Sequence, residues 1–128
     1  MSESFKQLVE NAIAALEPRP AIVASEVFPT FDDAVVVLHD GNVRWRLIRE
    51  RTDVALQAAS LRNPDEWYDA AFVEALSFGS ADPEPTGYPQ RTLDSAIAQL
   101  VKLRPAIQQS FGSDWAATRQ ALREAVDQ

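Results

Sequence analysis

The chain has 128 residues, 46% of them hydrophobic, which suits one globular domain over residues 1–128 and is too little for two independent ones. It contains no cysteine, which removes disulfides, thiolate catalysis and zinc-thiolate sites and agrees with a reducing compartment. A formal net charge of −7 argues against nucleic acid or an anionic membrane as principal partner, since both must be neutralised by basic side chains.

The charge is unevenly spread. Residues 1–43 set Lys6 and Arg19 against seven acids, and residues 60–90 set Arg62 against six, so each stretch carries −5. Residues 44–59 carry four arginines against Glu50 and Asp53, a local excess of +2. No run approaches the ~18 apolar residues that span a bilayer. The amino terminus places Glu3 and Glu10 in an amphipathic pattern unlike a secretory signal, so the cytoplasm is the expected location.

Phe5, Leu8, Val9, Ala12, Ile13 and Leu16 recur at helical spacing and predict a first helix with those six on one face, ended by Pro18 and Pro20. Ala21 to Phe28, short and partly β-branched, reads as a first strand. Ala34–Leu38 is a nearly continuous apolar strand, and His39-Asp40-Gly41-Asn42 supplies residues suited to a tight reversal. On the return strand Val43, Trp45 and Leu47 alternate with Arg44 and Arg46, which predicts an apolar face packed on the first helix and an arginine face turned outward. Arg49 to Asp53 reverses the chain again into Val54, Leu56 and Ala58. The expected count is four antiparallel strands.

Asn63-Pro64-Asp65-Glu66 carries the marks of a helix start, with Asn63 as cap, Pro64 in the first position and Glu66 as capping-box partner, and the helix is expected to run to about Ser77. Gly79 to Gln90, with three prolines and two glycines, reads as an exposed loop. Thr92 then caps a helix with Leu93, Ala96, Ile97, Leu100 and Val101 inward, which Pro105 is expected to kink or divide near Arg104. Gly112-Ser113 precedes a final helix holding Trp115, Leu122 and Val126. The fold class is α+β: an N-terminal helix, a four-stranded meander, then three to four helices.

Chemistry is sparse. His39 is the only histidine and lies at a hairpin tip beside Asp40, with no serine or cysteine nearby in sequence. Asp32, Asp33 and Asp40 match no calcium-loop spacing. Ser25, Ser110 and Ser113 lack a nucleophile elbow, and no phosphate cradle is present. No catalytic residue, metal site or cofactor is expected, and the chain reads as a non-enzyme. The arginines Arg44, Arg46, Arg49 and Arg51 are the best case for a nucleic-acid surface, but the whole-chain charge opposes it and solvated, paired arginines account for them.

The constellation of most interest is Asp65-Glu66-Trp67-Tyr68-Asp69, where an aromatic anchor, Trp67 or Tyr68, stands among three carboxylates. That grouping suits recognition of a basic protein surface. Three acids at a helix start with an aromatic turned into the core would produce the same string.

The layout of AVVVL, then VRWRLIRER, EWYD and a terminal WAATRQALREA helix resembles small bacterial immunity proteins of polymorphic or contact-dependent toxin systems. The resemblance implies a non-enzymatic inhibitor whose partner is a toxin domain. It transfers no residue roles, because the group has no motif that aligns here. Two other classes stand beside it: a homodimeric structural protein, and a small-ligand domain with Trp45, Tyr68 and Arg44 lining a cavity.

Overall fold

The computed structural model describes residues 4–28, 33–51, 53–78 and 92–127. Its elements are α1 (Phe5–Ile13), β1 (Ala21–Phe28), β2 (Asp33–Asp40), β3 (Val43–Glu50), β4 (Asp53–Ser60), β5 (Tyr68–Asp69), α2 (Ala70–Phe78), α3 (Leu93–Ser110) and α4 (Trp115–Val126). The expected Gly79–Gln90 loop lies outside the described residues, as do Asp32 and Thr52. No helix among the described residues is long and apolar enough to cross a membrane.

The sheet is an antiparallel meander in the order β1-β2-β3-β4-β5, five strands rather than four. Register places Leu38, Trp45, Ala58 and Tyr68 in one cross-strand row, and Val36, Leu47 and Leu56 in the next. All these side chains are buried, together with Val43, so the expected alternation of β3 holds and Arg44 and Arg46 lie on the other face. A one-residue slip would have buried both guanidinium groups.

Among the described residues the helices cover one face of the sheet only. α1 packs chiefly on β2 and α3, while α3 lies over β3 and β4, so α3 takes the place expected of α1 above Trp45. Ser4 caps α1, its hydroxyl accepting from the Gln7 amide at 3.1 Å, and Phe5, Val9 and Ile13 point into the core. Leu8, expected on that face, is exposed, and the helix stops at Ile13, ahead of both prolines.

The tip of the β2–β3 hairpin is held against α3. Gly41 has φ +63, a conformation costly for residues with a Cβ, and a Cβ there would strike the Gln108 carboxamide. That carboxamide accepts from the Asn42 amide at 2.9 Å and donates to the Asp40 carbonyl at 2.9 Å. Asn42 Nδ2 in turn donates to the Gln108 carbonyl at 2.9 Å.

The region after β4 corrects the expected helix start at Asn63. Two successive turns, Asn63 N to Ser60 O and Glu66 N to Asn63 O, lead into an extended segment that pairs Tyr68 with Ala58 and Asp69 with Gln57. Asn63 Oδ1 accepts the indole N–H of Trp115 at 2.7 Å instead of capping a helix. α2 begins seven residues later than Asn63, with Asp69 Oδ1 accepting from the Ala71 amide at 2.9 Å. Completing the sheet outweighed a local helix signal, as tertiary pairing commonly does.

α3 is capped as expected, Thr92 and Ser95 forming a reciprocal capping box. It runs unbroken through Pro105. Pro105 lies on the exposed side, where water can replace the missing amide donor, so division is not required. Its buried stripe is Ala96, Ile97, Leu100, Leu103 and Ile107; Val101, expected inward, is exposed. In α4 Trp115 and Leu122 are buried, whereas Val126 is exposed.

Candidate protein-recognition surface

The segment 65–69 is displayed by the turns that follow β4 and by the pairing of β5 with it, so its side chains alternate between the two faces of the sheet. Tyr68 shares a row with Ala58, is buried, and meets the Trp115 ring edge-on with centroids 6.4 Å apart. Its hydroxyl donates to Glu66 Oε2 at 2.8 Å. Glu66 also accepts two hydrogen bonds from Arg119 of α4, each at 2.9 Å, which ties the segment to the last helix.

Trp67 takes the opposite face. Its ring is half-buried, with the Arg46 guanidinium 4.4 Å and the Arg44 guanidinium 5.1 Å from its centroid. Arg44 donates to the Pro64 carbonyl at 2.6 Å and lies 3.6 Å from the Asp65 carboxylate, whose side chain is 99% exposed. Arg46 donates from Nε to Gln57 Oε1 at 2.8 Å, with a second bond from Nη2 to the same oxygen. Burial, and then the neighbouring positive charge of Arg44, hold Arg46 below the ordinary arginine pKa. Two fixed cations thus brace a partly exposed indole.

Trp67 is one part of a wider surface. The rows Val35, Ile48, Ala55 and Val37, Arg46, Gln57, Asp69 run across the outer face. The described helices lie on the other side, where the buried cluster is.

The five residues expected to form one acidic patch therefore divide. Asp65 and Trp67 face solvent; Glu66 and Tyr68 form a joint with α4; Asp69 caps α2. Arg44, Arg46 and Arg119 interleave the acids, so the patch is of mixed charge rather than acidic. Nor do Arg44, Arg46, Arg49 and Arg51 form one surface. Arg49 stacks on Phe5 at 5.0 Å from the core-side row, and Arg51 stands in the following turn at φ 58 with its amide donating to Asp33 Oδ1 at 3.2 Å.

Asp40, expected as a turn acid, is instead the centre of a buried polar knot, only 4% exposed. It accepts from Trp45 Nε1 at 3.0 Å and from Arg104 Nε and Nη2 at 2.9 and 2.8 Å, while Arg104 also donates to the Pro18 carbonyl. His39, adjacent on the strand, points to the outer face, so no His–Asp pair forms. Asp33 stands at the far end of β2, about 23 Å away at strand rise, and cannot share a cation with Asp40. Among the described residues no group of three or more His, Asp or Glu is placed to hold a metal.

Sequence reasoning could have reached the Trp45 contact, because the hairpin register brings residues two apart on one face into diagonal reach. Arg104, 64 residues away, carried no local signal. The proposed cavity residues do not converge: Trp45 and Tyr68 are core, and Arg44 lies outside. The open depression of about 540 Å³ beside Asp40 is lined instead by Leu16, Pro18, Val101, Arg104, Pro105 and Gln108.

The Glu66 joint makes stability depend on pH at both ends. Hydrogen bonding from Arg119 holds the Glu66 carboxyl below its ordinary 4.5, so its contribution is present above that value and is lost as pH falls through the lower, folded-state pKa. The stability difference between the parent and Glu66→Gln in urea melts is expected to shrink below pH 4.5; a constant difference would contradict the assignment. Burial and the Glu66 bond raise the Tyr68 phenol from 10.0 to about 12, so the fold weakens as pH rises between those values. With Tyr88→Phe leaving one of the two tyrosines, absorbance at the phenolate band should report ionisation near 12 in the folded chain.

Comparison with protein families, curated proteins and solved structures finds no match to this chain.

Proposed function

We propose that this chain is a non-enzymatic protein-binding module that engages a basic protein partner through the outer sheet face around Trp67. The observation that carries this reading is Trp67 itself, a partly exposed indole braced by Arg44 and Arg46 on a face that none of the described helices covers, with Asp65 projecting beside it. Aromatic anchors held in one conformation lose little entropy on binding and dominate interface energetics. The net charge of −7 supplies long-range attraction for a basic partner, while the Trp67 surface supplies close contact.

The specific form of this reading is an immunity-type inhibitor that neutralises a toxin domain by covering its active site or an adjacent surface. Cytoplasmic residence fits it, on the cysteine-free composition. Tyr68 is not the anchor in this reading, and Glu66 and Asp69 serve the fold.

Affinity capture from the native host identifies the partner, after which two variants separate contact from steering. Trp67→Ala is expected to weaken binding at least tenfold, about 1.4 kcal/mol or more, chiefly by faster dissociation. Asp65→Lys, which touches no buried group, should slow association and reduce its salt dependence. Parent-like affinity in Trp67→Ala would remove this face as the interface.

A further inference from the structure

We propose that β1 is a self-association edge, pairing antiparallel with β1 of a second copy so that two five-stranded sheets join into one. β1 is the terminal strand of the sheet, and among the described residues no strand pairs with its outer side. It is eight residues long and carries one charge, Glu26, with neither lysine nor proline to discourage pairing. The opposite edge is finished differently: β5 has two residues and passes directly into α2.

β1 is also apolar where it has no cover. Val23, Val27 and Phe28 are 52%, 61% and 43% exposed, an unusual amount of large apolar surface for one strand. The cause is the placement of the described helices, which pack chiefly on β2, β3 and β4, so that on the core side of β1 Ile22 meets the core while Ser25 and Val27 stay exposed. Val27 shares a row with buried Ala34, and Ser25 with buried Val36, yet both are exposed.

The strand matches an inverted copy of itself. A two-fold axis normal to the sheet keeps each side chain on its own face, so some residue of β1 must oppose its own copy. Centred on Ser25, the pairing sets Ala24 against Glu26 at both ends, with Val27 and Val23, the residue at which the register shifts, next outward, and no like charges meet. Centring on Glu26 would oppose two carboxylates. The same axis leaves both helical layers on one side of the joined sheet, with the bare valines between them. The irregularity between Ile22 and Ala24 lies outside the central Ala24–Glu26 pairing. Trp67, beyond β4, remains free at each far edge, so this association is independent of the partner surface.

The chain's lack of cysteine makes the register testable with one substitution. In Ser25→Cys the two thiols would face each other across the axis, at the 4.5–5.5 Å Cα separation of antiparallel partners, within disulfide range. The expected results are a parent that sediments as a dimer at about 100 µM, a dimer fraction that rises with salt as −7 on each copy is screened, and rapid oxidative cross-linking of Ser25→Cys. A control thiol at exposed Gln120→Cys should cross-link at least tenfold more slowly. Ser25→Lys, opposing two ammonium groups, should raise the dissociation constant at least tenfold, with the circular dichroism spectrum unchanged and, at a concentration where both proteins are monomeric, the same melting curve. A parent that stays monomeric overturns the proposal, including the case in which β1 takes a strand from another protein. A dimer that survives Ser25→Lys, or whose Ser25→Cys form fails to cross-link, also overturns it.

Discussion

Replacing Trp45 by alanine is expected to lower stability by about 3–5 kcal/mol, a large fraction of what a domain of this size usually has. The indole is fully buried at the centre of β3, between Leu38 and Ala58 in the cross-strand row and beneath α3, so truncation leaves a cavity that rigid neighbours fill poorly. It also removes a donor from Asp40. Trp45→Phe separates the two effects, keeping most of the volume and losing the N–H, and should cost about 1–3 kcal/mol. Urea melts with an unchanged slope are the measurement; a loss under about 1 kcal/mol for Trp45→Ala would show that the side chain is not structural core.

Arg104→Ala is expected to cost about 3–5 kcal/mol, because it strands a buried carboxylate whose charge nothing else of opposite sign meets in the knot. Asp40 would keep only the Trp45 donor, and the segment at Pro18 would lose its tie to α3. Arg104→Ala combined with Asp40→Asn should recover part of the loss, since the second change removes the stranded charge. If the double variant is no more stable than Arg104→Ala, charge burial is not the cause. Trp45 and Arg104 share the acceptor Asp40 Oδ2, so Trp45→Phe and Arg104→Ala should be non-additive in a double-mutant cycle.

The candidate surface was partly legible. Aromatic and acidic residues at 65–69 mark the segment in the sequence, but the same string fits a helix start, and the two readings turn different side chains outward. Trp67 faces out because β5 pairs Tyr68 with Ala58, which fixes the alternation. The acids read as a patch are divided by what reaches them. Arg119, 53 residues on, takes Glu66 into a structural joint, and Arg44, one strand away from β4, meets Asp65.

Period-two alternation in β3, the polar reversal at Gly41, the Thr92 cap and the apolar spacing of α1 each act between residues a few positions apart. The sequence alone therefore determined the first four strands of the meander, the place of the β2–β3 reversal and which face of β3 is core. The tertiary structure decided the fifth strand, the continuity of α3 through Pro105, the burial of Asp40 and the bareness of β1. Those depend on where the helices lie across the sheet. α3 placed over β3 and β4 brings Arg104 to Asp40, closes over Trp45 and stops short of β1, and no pattern within a few residues encodes that placement.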